Sequence, residues 1–564
     1  MDDQQKPNLQ EFLSEVSSFS SEDGVQTEPS RAAAPQLNPI GTVVEIAGSG
    51  SQIRLDAATV TALQTHKDPS VAMSGQVGSQ IKTVVGNAWL IANVRTLKAG
   101  APGELIAHVD FLGEGSRDSS GRMANFRRGV TRYPIPGADV LPVSTEDLRA
   151  VFAASDEPHI EIGTVYPTDD IRGALYVDPM LSKHFAVLGS TGTGKSTSVA
   201  LILHRISQLS PEGHIVMIDP HGEYSAAFKG CGELFNVDNL QLPYWLMNFE
   251  EHCEVILTTQ GAERERDADI LAKCILAART KGKDMSQYGK VTVDSPIPYL
   301  LTDLNAIIVN EMGKLDRAGD TLPFQRIKTK LDELRADPRY TFMFSGMLVS
   351  DSMASFIAKL FRLPSQGRPI SIVDVSGVPS DVTSVVVSVL ARMVFDYAIW
   401  SRTEAQRPLL LVCEEAHRYV PKDENSGAQA VRKILERIAK EGRKYGVSLG
   451  LITQRPSDLA EGVLSQCGTI VSMRLNNDRD QACVRAAMPE GARGFLDAIP
   501  ALRNRECIVC GEGVAIPIRV RFDDLEPEKR PASSDPSFAR LWRETGDEAG
   551  IITRTIKRWR GHGR

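Results

Sequence analysis

The sequence predicts an α/β protein, in which an open, largely parallel sheet layered with helices follows a small β-barrel. Apolar runs of strand length recur at 184–188, 214–218, 370–376, 408–413 and 447–453, separated by helical patterns such as the long apolar stretch 382–400. Ahead of them, from Gly41, short strands broken by glycines read at 42–46, 51–55, 80–85, 87–94 and 103–111, the spacing of a small barrel or a sandwich of the same strands. With 564 residues and 42% hydrophobic side chains, the chain can bury more than one core.

The elements divide the chain into four parts. Residues 1–37 are rich in Ser, Glu, Gln and Pro and bury too little apolar surface to order themselves, although 9–16 has the pattern of a short amphipathic helix that docks on a partner. Residues 38–150 form the barrel, with 128–134 as its closing strand and turn. The α/β core spans 151–520 and is interrupted at about 245–350 by a charged helical insertion carrying Glu263-Arg264-Glu265-Arg266-Asp267 and the stretch 324–336. Beyond 521 lies a Pro-containing, charged tail whose last fourteen residues hold basic groups and no acid.

The core carries a nucleotide-binding pattern. Gly189-Ser190-Thr191-Gly192-Thr193-Gly194-Lys195-Ser196 matches G-x-x-x-x-G-K-[ST] in full, between a strand at 184–188 and a helix beginning at Thr197. Glycines let backbone N–H groups wrap a triphosphate at the helix start; Lys195 reaches the β- and γ-phosphates and the Ser196 hydroxyl can ligate Mg²⁺. These residues and Thr197 are the expected ATP contacts.

Such a site needs acid from a neighbouring strand. The run 408–413 ends in Glu414-Glu415, and strand alternation would send the two carboxylates to opposite sides, Glu414 toward Mg²⁺ and Glu415 toward the attacking water. The run 447–453 ends in Gln454, an amide at the carboxyl edge of a parallel sheet, able to sense a γ-phosphate or orient water without adding charge. The helix pattern 428–445 carries Arg432, Arg437 and Arg443. Arg437 or Arg443 is a candidate arginine finger offered to an adjacent subunit; each equally reads as a basic residue satisfying a helix C-terminus.

Together these segments resemble the HerA branch of the HerA/FtsK ATPases. The resemblance rests on the strand and P-loop, on Asp219-Pro220-His221-Gly222-Glu223-Tyr224 after 214–218, and on Glu414-Glu415-Ala416-His417, Glu441-Gly442-Arg443-Lys444 and Thr453-Gln454-Arg455-Pro456. Upstream it includes Ile162-Gly163, Lys183-His184 and the barrel at about 39–145, so it covers most of the chain. It implies a RecA-like motor, assembled as a homohexameric ring, that uses ATP and Mg²⁺ to drive double-stranded DNA through its pore. It also implies a C-terminal extension that braces the neighbouring subunit, a role that competes here with DNA contact by the basic end. HerA-type motors work with NurA-type nucleases; a ring scaffolding an anti-phage effector, either sirtuin-like or a nuclease, is the alternative. A conjugation-type pump is disfavoured, because no membrane anchor precedes the motor.

Composition agrees with an expected cytoplasmic location and no membrane partner. No apolar run approaches the eighteen or so residues of a span, and the first residues are acidic and polar, unlike a signal peptide. Eight cysteines sit mostly in apolar runs, as reduced buried thiols do, and Cys507-x-x-Cys510 has no second pair to complete a zinc site. The net charge of −7 leaves DNA binding open, since a pore needs only a local basic lining.

Overall fold

The computed structural model describes residues 37–561, apart from 285, 287, 315–317, 346–349, 424–427, 489–492, 533–536, 545 and 547. The expected disordered extension, and the short helix at 9–16 within it, therefore lie outside the described residues.

The first sheet is built from β1 (Gly41–Ile46), β2 (Gly50–Asp56), β3 (Gln80–Val85), β4 (Ala88–Ala99), β5 (Glu104–Arg117), β6 (Met123–Arg128) and β7 (Asp139–Pro142). Its order is β2-β1-β7-β3-β4-β5, and β5 pairs back onto β2 from Gly50↔Asp110 to Asp56↔Glu104, closing a six-stranded barrel. β6 continues outside the ring on β5. Register shifts in the β4–β5 ladder at Ile91/Ala92 and Val94/Thr96 bend these long strands around the barrel, whose interior holds Ile53, Leu55, Val94, Ala107 and Val140. The closing strand differs from the sequence expectation: β7, and not 128–134, bridges β1 and β3. Pro134 ends the expected segment and Pro136 follows it, and neither has an N–H for a ladder.

A short helix, α1 (Thr145–Phe152), leads into the second sheet. That sheet comprises β8 (His159–Val165), β9 (Arg172–Tyr176), β10 (Phe185–Leu188), β11 (Ile215–Asp219), β12 (Gly232–Phe235), β13 (Ile370–Asp374), β14 (Leu409–Cys413), β15 (Val447–Thr453), β16 (Thr469–Met473), β17 (Glu506–Gly511) and β18 (Ile518–Phe522). The order is β12-β13-β11-β14-β15-β10-β16-β17-β18-β8-β9. The first seven run parallel and the last four antiparallel. Helices cover both faces of the parallel part, which is why β10, β11, β14 and β15 are largely apolar and are buried at every position.

Seven helices position the chemistry. α2 (Lys195–Leu209) follows β10. α3 (Phe249–Ile256), α4 (Gly261–Thr280), α5 (Leu301–Met312) and α6 (Ala318–Ala336) belong to the helical segment between β12 and β13. α7 (Ser380–Trp400) is long and apolar enough to cross a membrane, but 67% of that stretch is buried inside the protein, as in a core helix. α8 (Gln429–Glu441) packs beside it, and Arg437 lies 4.9 Å above the Phe395 ring of α7. At the C-terminus, α9 (Glu548–Gly561) leaves Ile552, Ile556 and Trp559 exposed at helical spacing.

Cys507 and Cys510 are fully buried in β17, and their odd separation along a strand turns the thiols to opposite faces. Burial pushes the Cys510 thiol up to about 12.

Candidate nucleotide site

The carboxyl ends of β10, β11, β14 and β15 converge on one cluster, the edge where open parallel sheets bind ligands. The loop between β10 and α2 is shaped by Gly192 and Gly194, at φ +77° and +93°, a region open mainly to glycine. Gly189 is needed for space, because a Cβ there would come within 2.9 Å of Met473 Cβ. Gly194 caps α2 without a side-chain hydrogen bond, leaving the first N–H groups of the helix to an anion.

The loop hydroxyls divide by role. Thr193 turns inward, is fully buried and donates to Ser190 O at 2.8 Å, so it shapes the loop. Ser190 N–H donates to Arg474 O at 2.9 Å, and Ser190 Oγ accepts from Asn476 N–H. Thr191 is exposed and donates to Gln454 Oε1, which brings the end of β15 onto the loop. Ser196 lies near the phenol of Tyr224, and Tyr224 donates to Glu414 Oε2 at 2.8 Å. Thr197 is half-buried one residue further along α2.

Lys195 is buried and its Nζ lies 3.8 Å from Glu414 Oε1 and 3.7 Å from Glu415 Oε1. Both carboxylates thus face the same ammonium, unlike the alternation expected along a strand. β14 ends at Cys413 and Glu415 adopts φ +51°, so the chain has already turned where the second carboxylate leaves it. The two remain chemically distinct. Burial pushes Glu414 up to about 7 against the pull of Lys195 and the Tyr224 hydroxyl. Burial works against Glu415 too, but His417 and Lys195 hold it below the usual carboxylate range. Glu415 Oε2 is buried without a hydrogen bond, because His417 Nδ1, 3.2 Å away, is engaged with Thr453 Oγ1 at 3.0 Å.

A lysine, a serine hydroxyl and two carboxylates around a free helix start are the donor set that a magnesium nucleotide requires. Glu414 reinforces the fit: a carboxylate this buried gains its charge only beside cations.

Three contributors carried no role in the sequence. Asp219 is fully buried at the end of β11 and accepts from the N–H groups of His221, Gly222 and Tyr224 at 3.1, 2.9 and 2.9 Å, which fixes the loop that delivers Tyr224. Tyr224 and His417 lie in segments that had been noted, but only the fold shows them touching Glu414, Ser196 and Glu415. Asp374 Oδ2 would meet a Cβ on Gly222 at 3.0 Å; it packs under that loop.

The arginines lie elsewhere. Arg432 pairs with Glu436 at 2.9 Å, and Arg437 is half-exposed and pairs with Glu441 at 3.4 Å. Arg443 is exposed just before β15 begins, whereas Gln454 follows its end. Seven strand residues at about 3.3 Å each put Arg443 roughly 20 Å from its own P-loop, beyond the reach of its side chain. That edge is clipped to the P-loop strand: His184 Nδ1 accepts from Leu449 N–H at 3.0 Å, leaving Nε2 to donate to Ala439 O at 3.1 Å.

Comparison with known proteins finds similarity to one family. The model of the helicase HerA central domain matches residues 160–394. The DNA double-strand break repair helicase HerA of Pyrococcus furiosus is 26% identical over 511 residues, covering 83% of this chain and 88% of that one. The HerA of Sulfolobus acidocaldarius is 25% identical over 431 residues, with 76% and 80% covered. The chain is thus similar to HerA-type helicases over most of its length, with the HerA central domain matched at residues 160–394. Its P-loop core makes it an ATP-hydrolysing enzyme. Among solved structures, VirB4 of Thermoanaerobacter pseudethanolicus superposes with a TM-score of 0.47 at 15% identity, covering 67% of this chain and 99% of that one.

Proposed function

We propose that this HerA-type chain is an ATP-driven motor for double-stranded DNA, assembled as a ring of six whose active sites are completed between neighbours. The observation that carries the reading is the separation of Arg443 from its own P-loop. An exposed arginine at the opposite sheet edge can serve a nucleotide only in the next copy, and the helicase names of the relatives supply the DNA.

In this mechanism Lys195 and the backbone N–H groups at the start of α2 hold the triphosphate of ATP. Ser196 and Glu414 would hold Mg²⁺, which neutralises charge on the β- and γ-phosphates. Glu415, kept charged, with Oε2 beside His417 and without a hydrogen bond, orients the attacking water and takes its proton. Gln454, tied to Thr191, reports the γ-phosphate to β15 and so to the segment bearing Arg443. Arg443, with Arg437 as the second candidate, reaches the neighbour's transition state, where an added cation is worth about 10³–10⁵ in rate. The exposed apolar stripe of α9 braces the adjoining subunit.

A motor must accept every sequence, so DNA is held through phosphates, and log affinity should fall linearly with log salt, independent of base composition. The partner we expect is a NurA-type nuclease or a defence effector acting on DNA inside the cell. ATPase rate with and without duplex DNA tests the reading: stimulation is expected. A rate unmoved by duplex DNA but strongly changed by an effector protein would replace the motor with an ATPase scaffold.

A further inference from the structure

Arg505 lies far along the chain from the P-loop, in the turn entering β17, yet it is built into that loop. Its N–H donates to Thr193 O at 2.9 Å, and its own carbonyl accepts from Phe522 N–H of β18 at 2.9 Å. Its side chain crosses the glycine that starts α2: a Cβ on Gly194 would meet Arg505 Cγ at 3.0 Å. The residue holds φ +64°, a left-handed backbone that disfavours any side chain. The turn is pinned from beneath by Arg474, whose carbonyl accepts from Ser190 N–H at 2.9 Å while its guanidinium bonds Asn504 Oδ1 at 3.1 Å and Leu502 O at 3.4 Å.

The guanidinium of Arg505 pairs with Asp524, a carboxylate whose side chain is 65% exposed. Arg530 also approaches Asp524, at 3.8 Å. Asp523 beside it is held by Arg172 and by Arg205 of α2, at 2.5 Å for the latter, so Asp524 is presented from a fixed backbone. An exposed pair of this kind is weak and screened by salt, whereas a guanidinium matches phosphate with two parallel hydrogen bonds. From Cγ above Gly194, the remaining atoms of the side chain reach the anion position at the start of α2.

We propose that Arg505 is a phosphate-chain ligand supplied by the same chain as the P-loop, with Asp524 occupying its guanidinium until a nucleotide displaces it. The inference rests on the P-loop as the nucleotide site and adds a cation distinct from Lys195 and from the arginine given by the neighbour. It gives the strained backbone a purpose, since a purely structural turn at +64° is better served by glycine.

The test is equilibrium binding of fluorescent ATP and AMP analogues to the full chain, without hydrolysis. Arg505→Gly keeps the backbone at a residue suited to it, so its melting temperature should equal or exceed that of the wild type. Its affinity for the ATP analogue should fall about tenfold or more, the loss of one charged hydrogen bond, with AMP little changed. Arg505→Lys should recover part of the loss, and Asp524→Asn should tighten ATP binding by freeing the guanidinium. Wild-type ATP affinity in Arg505→Gly, with binding abolished in Lys195→Ala, would overturn the role of Arg505 and leave the P-loop reading intact. A wild-type chain that binds neither analogue would remove the P-loop reading and this inference with it.

Discussion

Glu414 and Glu415 are adjacent, identical in chemistry and equally near Lys195, yet their surroundings give them different work. Glu414, bonded by Tyr224 and pushed up by burial, suits a position that gains from a cation. Glu415 keeps its charge and an oxygen without a hydrogen bond, as a group that receives a proton from water must. Glu415→Gln should therefore bind ATP with near wild-type affinity while turnover falls by about 10²–10⁴, measured by nucleotide binding and steady-state phosphate release. Turnover close to wild type would move catalysis to Glu414 or Glu223. The P-loop was legible in the sequence because its eight residues are contiguous and their spacing is the chemistry. Tyr224, His417 and Arg505 were not, since each reaches the site from a different strand end. The αL turn at Glu415 was also hidden, and it brought the second carboxylate to the same ammonium as the first.

At the scale of elements, the strands β10, β14 and β15 were legible as apolar runs, because strands buried on both faces have no polar alternation to confuse the pattern. The barrel's closing strand was misplaced because four short residues of β7 give a weaker signal than the Gly- and Pro-marked segment before them. The helical insertion is charged in sequence, yet it reaches the core: Glu251 of α3 is fully buried and bonded to Arg392 of α7 at 2.9 Å. Glu254 of α3 accepts from Ala430 N–H at 2.7 Å, capping the helix that leads to Arg443. The same helix α3 carries His252, whose Nδ1 faces Asn248 O at 2.7 Å and whose Nε2 faces Tyr299 Oη at 2.9 Å. Burial, reinforced by Arg279, lowers His252 to about 3. The imidazole is neutral in the fold and protonates near 6.5 when unfolded, so the unfolded state binds the extra proton and stability falls as pH drops from about 6.5 toward 3. The slope is at most about 1.4 kcal/mol per pH unit for this one group. The loss of melting temperature between pH 7.5 and pH 5 should be smaller in His252→Gln than in wild type; equal losses would place the acid sensitivity elsewhere.

For the whole molecule, the proposed ring rests on the separation of Arg443 from the P-loop edge of the sheet. Lys195, Ser196, Glu414, Glu415 and Gln454 gather at one edge and Arg443 stands at the other, so a closed assembly brings the two together in every interface. Arg443→Ala and Glu415→Gln chains should each be inactive alone. Mixed in equal amounts they should regain activity at about a quarter of the sites, where an intact Glu415 meets an intact Arg443 from the next copy. No recovery at any ratio would show that this arginine is not given in trans. The measurement that bears most directly on the account is displacement of a third strand from a DNA triplex, which reports directional movement along the duplex independently of strand separation. Wild-type protein with ATP should release the third strand, and Glu415→Gln should bind the same DNA and release none. A wild-type protein that hydrolyses ATP and binds the duplex yet leaves the triplex intact would contradict the motor.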